Sequence, residues 1–118
     1  MHEKITIFCD IDGTLVHHYP PSVTTTPYHI PTILDGTLNK LSEWEKLGYI
    51  IILVTARKEC MRVVTLKQLS KLGIFYDQLI MGISNGKRIL INDINISGIE
   101  AAKSINLERN IGIKSINL

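Results

Sequence analysis

The sequence predicts an α/β fold built on a mainly parallel central sheet, and three observations carry that prediction. Short runs rich in Ile, Val and Leu recur along the chain: KITIFC at 4–9, YIIILV at 49–54, QLIMG at 78–82 and RILIN at 88–92. Most are apolar nearly throughout, as strands covered on both faces are. Stretches with helical spacing separate the first three, at 36–47 and 57–72, and each ends on a glycine, Gly48 or Gly73, the residue that most readily closes a helix. The order strand, loop, helix, strand, helix, strand, strand is that of βαβ units. Right-handed crossovers then place helices on the sheet, and helices on both faces are expected.

Taken in order, 4–9 is the first strand. The stretch VHHYPPSVTTTPYHIPTIL at 16–34 contains all four prolines of the chain, so no helix is expected there. Loops of that length are commonly functional or disordered. Asp35 is placed to cap the next helix, whose Leu38, Leu41, Trp44 and Leu47 share a packing face. The second strand follows. The helix at 57–72 carries Met61, Val64, Leu66, Leu69 and Leu72 on or near one side. After the strand at 78–82, the Asn-Gly turn in SNGKR leads into a strand at 88–92. Beyond Asp93 the pattern predicts a short helix at 98–104 and one or two edge strands in 105–118. The pentapeptide KSINL occurs at 103–107 and again at 114–118, too short for a structural repeat.

Composition sets the class. The chain has 118 residues, 45% hydrophobic and 20% charged, with a net charge of +2: a single globular domain, 1–118, with a sizeable core. No basic run with interleaved aromatics is visible, so no nucleic-acid partner is expected. The longest apolar run falls far short of the roughly 20 residues a membrane span needs, and no basic-then-apolar leader is seen. Cys9 and Cys60 have no metal-type spacing and read as free thiols in a reducing cytoplasm. The apolar C-terminal tail leaves room for a homodimer.

In parallel α/β sheets ligands bind beyond the carboxyl ends of the strands. There the sequence places Asp10-Ile-Asp12-Gly13-Thr14, Thr55-Ala56-Arg57 and Asn92-Asp93. Alternate side chains of an extended chain share a face, so Asp10 and Asp12 point the same way. Two carboxylates that close need a cation between them, or one keeps its proton. A hard divalent ion such as Mg²⁺ suits Asp10 with a second carboxylate from a neighbouring strand, and Asp93 stands at the matching position. Gly13 permits a tight turn, whose successive backbone N–H groups would cradle phosphate oxygens. His17 and His18 lack a third metal ligand and read as part of a substrate-facing loop.

The segment DIDGTL at 10–15 resembles the first motif, DxDGT[LV], of the haloacid dehalogenase (HAD) phosphatase superfamily. LVTAR at 53–57 resembles the second motif, GK at 86–87 the third and IND at 91–93 the fourth, so the likeness covers roughly residues 4–93. The resemblance implies a HAD-like Rossmannoid fold and a Mg²⁺-dependent phosphomonoesterase. Asp10 would be the nucleophile, forming an aspartyl-phosphate. Asp12 would be the general acid and then the base. Thr55 and Lys87 would hold phosphoryl oxygens, with Gly13, Thr14, Ala56 and Arg57 lining the phosphate site. Asp10, Asp12 and Asp93 would bind the metal. In this family the stretch after the first strand forms a flap; here it is too short for a cap domain, which implies an open site. Two departures stand out. Asn92 precedes Asp93 with no second carboxylate close behind, and Lys87 lies only six residues before Asp93, with Arg88 or Lys71 as substitutes. The expected substrate is a sugar phosphate or another small phosphometabolite, loosely as in polysaccharide-biosynthesis phosphatases. The alternatives are a nucleic-acid 3′-phosphatase and a catalytically weak HAD-like binding module.

Overall fold

The computed structural model describes residues 3–24 and 26–118. Three strands, β1 (Thr6–Asp10), β2 (Ile50–Thr55) and β3 (Gln78–Met81), form one parallel sheet in the order β1-β2-β3. Helix α1 (Pro21–Thr24) lies in the long loop, α2 (Thr37–Lys46) joins β1 to β2, and a 3₁₀ turn (Glu59–Met61) running into α3 (Arg62–Leu72) joins β2 to β3. The parallel α/β architecture is the one the sequence predicts. The register aligns Asp10 with Val54 and Thr55 with Met81, which brings the carboxyl ends of all three strands to one edge.

The core lies on one face of the sheet. Cys9, Ile51 and Leu53 point into it, against Leu41 and Trp44 of α2, Leu69 of α3, and Ile11, Leu15 and Val16 from the turn after β1. On the opposite face Phe8, Ile50 and Ile80 are exposed. The expectation of helices on both faces is thus met on one only. Each right-handed crossover between strands adjacent in both sequence and sheet lands its helix on the same side, and α2 and α3 share one core.

Other departures have local causes. A short α1 forms despite the prolines, because Pro21 opens it, where the missing N–H has no helical partner to lose. The residue before α2 is Gly36, at φ 83°, and no side chain caps the helix, so Asp35 is not the cap. A Cβ on Gly36 would sit 2.5 Å from Lys114 Cα, so the C-terminal segment passes directly over the start of α2. Within α2 only Leu41 and Trp44 of the expected face are buried, while Leu38 and Leu47 are exposed.

The predicted strand at 88–92 is not formed: the segment lies outside the sheet, with Ile89, Leu90 and Ile91 exposed. A short apolar run becomes a strand only where a neighbour pairs with it, and here none does among the described residues. Nor do 98–104 form a helix; Asn95 instead makes a local turn, its carboxamide oxygen accepting from the N–H groups of Ser97 and Ile99. The tail at 105–118 has turns in place of edge strands, yet it buries Ile113 in the core. Cys9 and Cys60 are both free thiols. Among the described residues no helix is long and apolar enough to cross a membrane.

Candidate active site

Strand β1 ends at Asp10 and the chain turns at once. The Ile11 carbonyl accepts from the N–H groups of Thr14, Leu15 and Val16 at 3.2, 2.9 and 3.2 Å. Gly13 sits at φ 85° in this turn, and a Cβ there would meet Arg109 Cγ at 3.1 Å. The left-handed backbone favours glycine there, and a Cβ would also press the Arg109 side chain aside. The expected backbone cradle for phosphate is not open. The Gly13 N–H donates to the Val16 carbonyl at 2.7 Å and the Thr14 N–H to Ile11, so both donors are taken up inside the turn.

The aspartate pair is neutralised by two arginines. Arg57 grips Asp12 with a two-pronged fork, Nε to Oδ2 at 2.8 Å and Nη2 to Oδ1 at 2.7 Å. Its remaining terminal nitrogen, Nη1, donates to Thr65 Oγ1 at 3.0 Å and to Gln68 Oε1 at 2.6 Å. The Arg57 side chain is only 7% exposed, so this fork works in a poorly solvated setting where charge-assisted pairs are strong. Its backbone is pinned too, the carbonyl accepting from the Gly82 N–H beyond β3 at 2.7 Å.

Asp10 is the more open of the two, with its side chain 37% exposed. Thr14 Oγ1 donates to its Oδ2 at 3.3 Å, and Arg88 Nη2 stands 3.6 Å from its Oδ1. Burial pushes the Asp10 carboxyl above its usual range. The Arg88 charge and the Ile11 amide pull it back down, the nearby Asp12 charge pushes it up again, and the Thr14 hydroxyl lowers it slightly. The adjacent Cys9 is buried, and burial together with the Asp10 charge pushes its thiol up to about 12. That thiol stays protonated and is no nucleophile.

The remaining sequence candidates fall in different places. Thr55 is buried at the end of β2, its hydroxyl accepting from the Arg57 N–H at 3.1 Å. Ala56 is half-buried beside it. Lys87 is exposed and is not brought to the aspartates; Arg88 stands there instead. Asp93 is exposed on the segment that stays outside the sheet. Among the described residues no group of three His, Cys, Asp or Glu side chains could hold a metal ion, so the Asp10–Asp12–Asp93 set is not assembled. Both carboxylate oxygens of Asp12 are engaged by Arg57. Of the Asp10–Asp12 pair, Asp10 is the one with an accessible carboxylate, and that fits Mg²⁺ only in its common mode of one or two carboxylates plus substrate phosphate and water. His17 Nδ1 lies 2.8 Å from the His18 carbonyl, and the His17 ring packs against Tyr19, itself edge-on to His29.

Three residues that shape the site escaped the sequence reading. Thr65 and Gln68 are buried polar side chains on α3, where Leu66 had been expected and is exposed. The signal was present, since Met61, Thr65, Gln68 and Leu72 share a helical stripe. Polar residues on a core stripe need partners. Asn110 is the third. Its φ is 68°, its N–H donates to the Gly13 carbonyl at 2.8 Å, and its Oδ1 accepts from the His18 N–H at 2.7 Å. The tail thereby fastens the turn at Gly13 and the start of the long loop at His18.

No protein-family model matches the chain, and no curated protein matches it. Solved structures do. A chain from a structure of the Pnkp1/Rnl/Hen1 complex is 29% identical at a TM-score of 0.57, over 73% of this chain and 30% of that one. A chain from the Pnkp1/Rnl/Hen1 RNA repair complex is 30% identical at 0.56, over 72% and 27%. A crystal structure from Vibrio cholerae is 18% identical at 0.53, over 78% and 82%, and shows the fold alone. The chain thus spans less than a third of the complex chains it matches. Its Rossmann-like α/β fold recurs within chains of an RNA repair assembly.

Proposed function

We propose that the protein is a phosphomonoester hydrolase that works through an aspartyl-phosphate on Asp10. The observation that carries this reading is the division of labour between the two aspartates. Asp12 is held in a bidentate guanidinium fork, while Asp10 stands half-open at the end of β1 with Arg88 beside it. An Asp10 carboxylate oxygen attacks phosphorus, and the bond from phosphorus to the leaving oxygen breaks as the new one forms. Asp12 first leaves the Arg57 fork and takes up a proton from solvent, and the leaving oxygen then takes that proton as its bond to phosphorus breaks. Water then attacks phosphorus and gives a proton to Asp12; inorganic phosphate departs and the Asp10 carboxylate is restored. Arg88 offsets charge on the phosphoryl oxygens, the role the sequence had suggested for Lys87. Mg²⁺ is the proposed cofactor, with Asp10 as the carboxylate placed to hold it; when bound it would neutralise charge on the transferring group.

The substrate divides into two readings. The first is a sugar phosphate or another small phosphometabolite. The likeness to chains of an RNA repair complex favours a second, a terminal phosphate on a nucleic acid, despite the mild net charge. Turnover of p-nitrophenyl phosphate with and without Mg²⁺, beside Asp10→Asn, tests the reaction class. A panel of sugar phosphates against 3′-phosphorylated oligonucleotides separates the substrates. No turnover on any of them would leave a HAD-like binding module as the better account.

A further inference from the structure

The long loop is tied to the candidate acid through one buried amide. The loop's base is pinned near its ends: the His17 N–H donates to the Thr32 carbonyl at 2.8 Å, and the Thr32 N–H donates to the Tyr19 hydroxyl at 3.0 Å. Its far part reaches α3 through Gln68, whose Nε2 donates to the carbonyls of His29 at 3.1 Å and Thr24 at 3.4 Å. Gln68 Oε1 accepts from Arg57 Nη1, and the Nε/Nη2 edge of that same guanidinium holds Asp12. A guanidinium only donates, so Gln68 must turn its oxygen toward Arg57. Its NH₂ then necessarily faces the two loop carbonyls. The orientation is fixed by chemistry from both sides, and at 3% exposure the amide is shielded from solvent. The loop also carries a cost in this position, since His29 Nε2 is buried without a partner. Hydrogen bonds that hold the loop down therefore matter to where it sits.

We infer that Gln68 is a positioning residue that latches the loop, at Thr24 and His29, to the Arg57–Asp12 pair, so that loop position and acid orientation change together. The inference rests on the phosphatase reading for its catalytic part. A substrate that displaces the loop pulls on Gln68, shifts Arg57 and misaligns Asp12 for proton transfer. Through this link the loop selects which leaving groups are protonated. Gln68 itself touches no reacting atom.

The test uses two variants of the full chain. Gln68→Met keeps length and packing but removes both halves of the link. Gln68→Glu keeps an acceptor for Arg57 but loses the donor to the loop. Amide hydrogen exchange over 26–30 is read first and needs no activity. Both variants are expected to exchange several-fold faster there, with exchange in β2 unchanged. Turnover is then compared on p-nitrophenyl phosphate, whose leaving group departs without a proton, and on an alkyl phosphate, whose leaving group needs one. The expected result is a fall of about tenfold or more in kcat on the alkyl phosphate, with less than about threefold on the aryl one. Unchanged exchange over 26–30 in both variants would overturn the latch. Equal losses on the two substrates by an otherwise folded variant would overturn the coupling to Asp12. A wild-type protein that turns over neither substrate would overturn the phosphatase reading and the coupling with it, while the exchange result still decides the latch.

Discussion

Arg57→Ala should be among the most destabilising single substitutions in the chain, and the structure sets the scale. The guanidinium makes four hydrogen bonds, two to Asp12 and one each to Thr65 and Gln68. Removing it leaves Asp12, whose side chain is 20% exposed, without its counter-charge. It also strands a buried hydroxyl and a buried amide oxygen. Breaking a buried pair from one side costs about 3–5 kcal/mol, against a total stability of about 5–15 kcal/mol for a domain. At about 4 °C per kcal/mol for a domain of this size, the melting temperature should fall by about 12–20 °C. Differential scanning calorimetry at neutral pH reads it. The control is Arg62→Ala, which removes an exposed pair with Glu59 and should leave the transition nearly unmoved. The double variant Arg57→Leu/Asp12→Leu should recover part of the loss, because no unpaired charge then remains. An Arg57→Ala protein that melts within about 4 °C of wild type, a loss of only about 1 kcal/mol, would refute the buried-fork reasoning.

Asp10→Asn should abolish turnover yet raise the melting temperature at neutral pH. Burial lifts the Asp10 carboxyl above its ordinary range, so the folded chain holds that proton more tightly than the unfolded chain. Stability therefore falls as pH rises from near 4 through the raised value, and the gain from Asn should shrink to nothing in acid. Melts of both proteins across pH 3–8, on the order of one per pH unit, check the slope. Gly13→Ala should cost about 1 kcal/mol or more through its left-handed backbone and the close Arg109 contact, read by urea unfolding. Arg88→Ala should lower kcat by about tenfold or more, while Lys87→Ala stays within about twofold; steady-state kinetics on p-nitrophenyl phosphate would expose the reverse order.

The parts of the fold legible in the sequence were those written locally. Ile51 and Leu53 announce a buried strand, Gly73 ends α3, and DIDGTL announces a tight acidic turn after β1. What escaped depended on residues far along the chain. Gly36, not Asp35, precedes α2 because Lys114 passes 2.5 Å from where a Cβ would lie, and no local pattern encodes that. RILIN has a strand's composition but pairs with no strand among the described residues. Arg57 was read as a residue lining the phosphate site; its engagement with Asp12, 45 positions earlier, is a tertiary fact. The aspartate pair did demand positive charge, as electrostatics requires, yet the structure supplies it first through Arg57 and Arg88. Thr65 and Gln68 were visible as polar residues on a core stripe, and a buried stripe that is not apolar is worth reading as a network.

The central claim is that Asp10 becomes phosphorylated. Intact-mass spectrometry of protein quenched in acid during turnover of p-nitrophenyl phosphate tests it most directly. The account predicts a fraction of the wild-type chain heavier by one phosphoryl group, with peptide mapping placing it on Asp10, and no such species in Asp10→Asn. Turnover with no phosphorylated chain at any quench time, or with the group on another residue, would contradict it.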